Sequence, residues 1–107
     1  MSQKRIARLA RARQDFDEAV DYYLTEASVD VALRWISELE GVFDHIAEYP
    51  GSGSPRYGHE LRIAGLRSWP LTDFPYLVFY VEGDQVIEVW RILHGSRNIP
   101  ATFRLEE

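Results

Sequence analysis

YLVFYVEGDQVIEVWRIL, residues 76 to 93, decides the fold. Tyr76 to Val81 is apolar at both alternate sets of positions, the pattern of a strand covered on two faces, and Val86 to Leu93 repeats it. Glu82-Gly83-Asp84-Gln85 between them is polar and holds a glycine, which reads as the loop of a hairpin. Upstream, Leu61 to Trp69 is a third strand candidate, ended or bulged at Pro70 because proline has no N–H to give a ladder. The Gly51-Ser52-Gly53-Ser54-Pro55 stretch before it is too short to separate one domain from another, so residues 1–107 read as a single domain with a loop.

Toward the N-terminus the period changes. From about Gln14, Phe16, Ala19, Val20, Tyr23, Leu24 and Ala27 recur at three- and four-residue spacing, with Asp17, Glu18 and Asp21 opposite them and acids favouring the first turn of an amphipathic helix. Ser28 is the expected N-cap of a second helix, whose stripe is Ala32, Trp35, Ile36, Leu39, Val42, Phe43 and Ile46. Pro50 and Gly51 stop it. Two amphipathic helices joined by a short turn form a hairpin, and each stripe needs a second layer, which the strands supply. The predicted class is α+β, a two-helix hairpin packed on a small antiparallel sheet.

Composition narrows the function. At 107 residues, 46% hydrophobic and 13% aromatic, the chain can bury enough surface to offset the entropy of ordering it, which excludes a disordered tail. Without cysteine it has neither a disulfide framework nor a thiolate metal site. His45 and His59 have no partner at metal-ligand spacing, so neither metal nor cofactor is expected. No apolar run approaches the roughly 18 residues of a membrane span, and charges occupy the place of a signal peptide's apolar segment, so a cytoplasmic location is expected. A net charge of −5 argues against direct, phosphate-held nucleic-acid binding. Its distribution is uneven: from Gln14 to Pro50 Arg34 is the one base among many acids, Lys4, Arg5, Arg8, Arg11 and Arg13 crowd the start, and Arg56, Arg62, Arg67, Arg91 and Arg97 lie in the second half. The basic start reads best as a solvated strand edge.

Three segments then resemble the ParE branch of the RelE/ParE toxin superfamily: DFDEAVDYY from Asp15, GLRSWPL with YLVFY between Gly65 and Tyr80, and VWRILHGSRNIP from Val89 to Pro100. In ParE-like sequences the last strand often closes on an arginine, two apolar residues, His-Gly and a nearby Arg-Asp; here Asn98 stands in the aspartate's place. The resemblance implies the order β-α-α-β-β-β, with a first strand within Lys4 to Ala10. It also implies a toxin of a type II toxin–antitoxin pair, silenced by a cognate ParD-like antitoxin and inhibiting DNA gyrase. RelE-type relatives instead cleave messenger RNA on the ribosome, and a toxin-like remnant that only binds its antitoxin is a third possibility, because fold alone does not choose a target.

Cutting RNA without a metal needs a base, an acid and cations against the developing phosphorane charge. Arg62, Arg67, Arg91, His94 and Arg97 lie near strands that share a sheet, but Lys4 is the only lysine and the C-terminal aromatic is Phe103, whereas RelE-like nucleases carry a lysine-rich strand and often a C-terminal tyrosine. The acid–base set is incomplete, so no catalytic residue is assigned. Arg67, Arg91, His94 and Arg97 are the candidates for target contact and toxicity. His94 is either a functional group or a strand-terminal residue that satisfies turn backbone groups, and Arg97 either pins the tail or faces a partner. Strict alternation would put Glu88, Trp90 and Ile92 on one face and Val89, Arg91 and Leu93 on the other, which leaves open which face meets the helices. For antitoxin contact the candidates are the aromatics Trp69, Tyr76, Tyr80 and Trp90, since exposed aromatics anchor interfaces. Trp35, at helical spacing, is core.

Overall fold

In the computed structural model, which describes residues 4–104, the chain runs β1 (Arg5–Arg8), α1 (Ala10–Glu26), α2 (Val29–Glu48), a 3-10 turn (Pro50–Ser52), α3 (Arg56–Leu61), β2 (Leu66–Pro70), β3 (Tyr76–Glu82), β4 (Val86–His94) and α4 (Ile99–Arg104). The strands form one sheet in the order β1-β4-β3-β2. The expected hairpin is β3–β4, antiparallel, and β2 joins β3 antiparallel. β1 adds to the far edge of β4 in parallel, Arg5 opposite Val86 and Arg8 opposite Val89, which makes that edge mixed.

The two long helices follow their stripes. Ser28 caps α2 as expected, its Oγ accepting from Val31 N–H at 3.1 Å, and Ala32, Trp35, Leu39, Val42 and Ile46 are buried while Ile36 and Phe43 are half-buried. Trp35 sits among Phe16, Tyr23 and Tyr76, with ring centroids 5.6, 6.4 and 5.4 Å away. α1 starts earlier than its periodicity suggested: Leu9 is the N-cap and no acid lies in the first turn. Leu24 is exposed, whereas Asp15 is buried.

The third strand is shorter than expected. Of Leu61 to Trp69, Leu61 belongs to α3, Arg62 closes that helix in the left-handed region (φ 56°), Gly65 follows at φ 78°, and the ladder begins only at Leu66. Two short helices in this half, α3 and α4, were not expected from the sequence. They cover the sheet on the side opposite α1 and α2: Leu66, Phe79, Leu93, Ile99 and Phe103 form a second cluster with Tyr57, Leu61, Ile63, Leu77, Val81 and Trp90 packed on it. Apolar residues at both parities of β3 therefore reflect two internal cores, Tyr76, Val78 and Tyr80 toward the long helices and Leu77, Phe79 and Val81 toward the short ones.

The loop that reads as linker-like is pinned. Tyr80 Oη donates to the Pro50 carbonyl at 2.8 Å and accepts from Gly53 N–H at 3.0 Å. A Cβ on Gly53 would collide with the Tyr80 hydroxyl, so this close approach requires glycine.

Candidate functional site

One residue of β4 controls where its side chains point. Phe79 of β3 pairs with Arg91 and the next residue, Tyr80, pairs with Val89, so Trp90 has no partner across the ladder. Such a bulge breaks alternation. As a result Arg91 and Ile92, adjacent in sequence, both meet the helical layer: Ile92 joins the main core, and Arg91 reaches Asp15 of α1. The face left open by parity is settled in neither of its two forms, because the assumption of unbroken alternation fails at Trp90.

Arg91 is 2% exposed. Its Nε and a terminal nitrogen donate to the two Asp15 oxygens at 2.7 and 2.8 Å, and Asp15 also accepts from Ile92 N–H at 2.9 Å. A bidentate pair of this kind fixes α1 against the bulge. Arg91 therefore leaves the set of surface residues proposed to meet a target, since its guanidinium is committed inside the fold. Asp15 was missed, although a signal existed: it falls three residues after buried Ala12 and four before buried Ala19, on the apolar stripe itself.

Beyond the bulge β4 ends at His94 and the chain turns through Gly95 and Ser96, with Arg97 N–H donating to the His94 carbonyl at 3.1 Å. Ser96 N–H donates to His94 Nδ1 at 3.1 Å and Ser96 Oγ lies 2.7 Å from the same atom. Nδ1 thus serves as the acceptor, and in the neutral ring the proton sits on Nε2. His94 also stands edge-on to Tyr76, centroids 5.2 Å apart. Asn98 takes the place of the expected aspartate without loss of the turn contact: its side-chain oxygen accepts from Ala101 N–H at 3.1 Å at the start of α4, a role that asparagine and aspartate fill equally well.

Between this turn and α1 lies a cleft of about 370 Å³ lined by Glu18, Tyr22, Tyr76, His94, Ser96 and Arg97 among others, with the Asp15 carboxylate at its base. Arg97 and Tyr22 are exposed and His94 is half-buried. Burial pushes the Tyr76 hydroxyl up to about 12, helped by Tyr23 and Tyr22 and opposed by Arg97, so that hydroxyl stays neutral. The structure brings His94 and Arg97 together here, while Arg67, half-buried on β2, is elsewhere and donates to the Gly53 carbonyl at 2.7 Å.

The four aromatic candidates do not share one surface. Tyr76 and Tyr80, 9% and 0% exposed, are core residues, a correction whose reason is the double covering of β3. Trp69 is half-buried and stacks on His45 of α2 at 4.2 Å, whereas Trp90 lies on the other face in the second cluster, its Nε1 donating to Glu88 at 3.3 Å.

The molecule is thus a two-helix hairpin and two short helices enclosing a four-stranded sheet, with a cleft at the turn after the last strand. One chain of a solved structure described as the chromosomal ParDE TA system from P. aeruginosa has this fold, with a TM-score of 0.71 at 18% identity over 86% of this chain and 96% of that one. The chain belongs to the ParE toxin family of type II toxin–antitoxin systems, parDE, whose family model matches residues 6–99. Toxin ParE1 of Caulobacter vibrioides is 36% identical over 91 residues, 85% of this chain and 88% of that protein. Y4kP of Sinorhizobium fredii is 33% identical over 101 residues, 94% and 97% of the two chains. Among the described residues, no helix is long and apolar enough to cross a membrane.

Proposed function

We propose that this chain is held silent by a cognate ParD-like antitoxin and that, once released, it inhibits DNA gyrase as a protein inhibitor and not as a nuclease. The observation that carries the reading is the ParE toxin family match across residues 6–99, joined by relatives such as Toxin ParE1 along most of the chain. The chemistry of the cleft supports the inhibitor form. A metal-free nuclease needs cations around the scissile phosphate and a free acid–base pair. Here Arg91 is consumed by Asp15, Ser96 occupies His94 Nδ1, Glu18 adds negative charge, and Lys4 is tied to Glu82 at 2.7 Å. Arg97 remains at the rim as a planar donor able to grip a carboxylate on a protein surface.

The test is to induce the chain in cells with and without the product of the adjacent reading frame, and to assay purified gyrase and ribosome-bound message in parallel. The expected result is growth arrest with a DNA-damage response, relieved by the neighbouring product, lost supercoiling and intact message. Site-specific cleavage of message that disappears with His94→Ala would overturn the reading in favour of an endoribonuclease. Absence of arrest with binding to the neighbour retained would assign a non-toxic remnant.

A further inference from the structure

Arg67 lies apart from the Arg97 cleft, in a second pocket of about 550 Å³ where α3 turns into β2. The two share no lining residue, and β3 separates β2 from β4 in the sheet. His59 of α3, Arg62 at its end and Arg67 of β2 line this pocket together with Pro55, Ile63 and Leu66, and among the described residues no aspartate or glutamate lines it. Glu60, the acid nearest in sequence, is held by Arg56 at 3.2 Å. On a chain of net charge −5 these walls form a local surface that attracts anions.

Arg62 breaks a local rule here. It ends α3 at φ 56° and ψ 42°, the left-handed region that a helix end gives to glycine or asparagine, because a larger residue's Cβ crowds its own backbone there. Nothing inside the fold compensates for that strain: the side chain is exposed and, among the described residues, makes no hydrogen bond or ion pair. A strained residue with no internal gain points to use by a ligand. Its place is set by α3, since a Cβ on Gly58 would run into the Leu66 carbonyl; the helix therefore lies hard against the start of β2 and carries Arg62 into the same pocket as Arg67. Arg67 is steadied by one guanidinium nitrogen donating to the Gly53 carbonyl at 2.7 Å, which leaves the other donors of its fork.

We propose that this pocket binds a small phosphorylated ligand, with its phosphate held by Arg62, Arg67 and His59 and its body against Pro55, Ile63 and Leu66. A terminal phosphate carries up to about two charges and three acceptor oxygens set tetrahedrally, whereas a carboxylate carries one charge and two coplanar oxygens. Two guanidiniums and an imidazole, coming from a helix, its end and a strand, suit the phosphate better. The volume falls within the roughly 300–1,000 Å³ of small-molecule sites, and an apolar wall with a few polar groups is their usual lining. A nucleic-acid strand is the poorer occupant, because its further phosphates would run past the pocket over a chain of net negative charge whose long helices are rich in acids. The site does not depend on which target the chain inhibits.

Calorimetric titration of the full chain with inorganic pyrophosphate tests this, with citrate, sulfate and a single-stranded oligonucleotide as comparators. Pyrophosphate should bind at least about tenfold more tightly than citrate or sulfate, and Arg62→Gly should weaken it at least about tenfold. Because glycine relieves the left-handed strain, that variant should melt no lower than the parent. Arg13→Gln, exposed on α1, should leave affinity within about twofold. Amide shifts on adding pyrophosphate to the parent should be confined to residues 58–67, which locates the site whatever the variant does to the fold. Pyrophosphate that binds no more tightly than citrate or sulfate, that binds Arg62→Gly as well as the parent, or that shifts amides elsewhere overturns the proposal. Tighter binding of the oligonucleotide also overturns it, by giving the pocket to a nucleic acid. A lower melting temperature in Arg62→Gly with affinity unchanged would make Arg62 a charge that stabilises the end of α3 and nothing more.

Discussion

Asp15 and Arg91 show how one buried pair can tie distant segments of a chain together. Their side chains are 5% and 3% exposed, and the carboxylate also holds Ile92 N–H, so removing either partner strands a charge in the core. Asp15→Ala should cost about 3–5 kcal/mol, because the penalty of an uncompensated buried charge exceeds the worth of the pair. For a domain of this size that lowers the melting temperature by at least about 10 °C. Replacing both residues, Asp15→Leu with Arg91→Met, should recover only part of the loss, since the two apolar groups need no partner but Ile92 N–H is left without its acceptor. Calorimetry of the three variants checks this, and a single variant as stable as the parent would refute it. Tyr76 makes a second prediction. Its hydroxyl is pushed up to about 12 in the fold, while an unfolded tyrosine titrates near 10. The raised value means stability is intact below about pH 10 and falls as the pH climbs toward about 12, because the unfolded chain releases its proton first. Urea midpoints taken between about pH 9 and about pH 11.5 should drop less steeply in Tyr76→Phe than in the parent.

At the scale of elements, the bulge at Trp90 and the turn after His94 decide what the last strand presents. The turn holds Arg97 exposed at the end of the last strand, where a partner can reach it. Arg97→Ala should therefore abolish growth arrest at a cost within about 1 kcal/mol of stability, read from paired toxicity and melting measurements. If the variant unfolds, or arrests growth like the parent, Arg97 is a tether or a bystander. α4 has the opposite character: Phe103 is buried and packs on Phe79 with centroids 5.3 Å apart, so Phe103→Ala should cost about 3–5 kcal/mol. The β3–β4 hairpin and the α2 stripe, with its Ser28 cap, were legible in the sequence because each pattern runs long enough to define a period. α3 and α4 span six residues each, fewer than a helical period needs to declare itself. A bulge leaves no mark in composition, so the placement of Arg91 could not be read by alternation. His94 and Arg97 were legible through the HGSR turn, yet their neighbour Tyr22 comes from α1, and only tertiary packing puts it there.

Across the whole molecule, charge and architecture bear together on what the chain can attack. Its net charge is −5 and Lys4 is its only lysine. A protein that grips a polyanion gains affinity from each phosphate it neutralises, and the gain comes from arrays of cations on one surface. The cleft itself gathers no such array: Arg91 is internal, Arg67 is bound to Gly53, Lys4 is bound to Glu82, and among the described residues that line the cleft Arg97 is the one arginine. Glu18 lines the cleft together with Arg97, and the Asp15 carboxylate there is already paired with Arg91, so a phosphate entering would meet one arginine and one acid outside that pair instead of an array of cations. General acid–base chemistry fares no better, since the Tyr76 hydroxyl holds its proton up to about 12 and one His94 nitrogen is spent on its own turn. The purified chain should therefore leave RNA intact, both free and in ribosomes stalled on a message. Primer extension across ribosome-bound message, with parent and His94→Ala compared at equal concentration, measures this directly: identical, uncut profiles are expected. A cut at a defined codon position that requires His94 would show that a ribosome supplies the missing cations, and the cleft would then have to be read as half of a composite nuclease site.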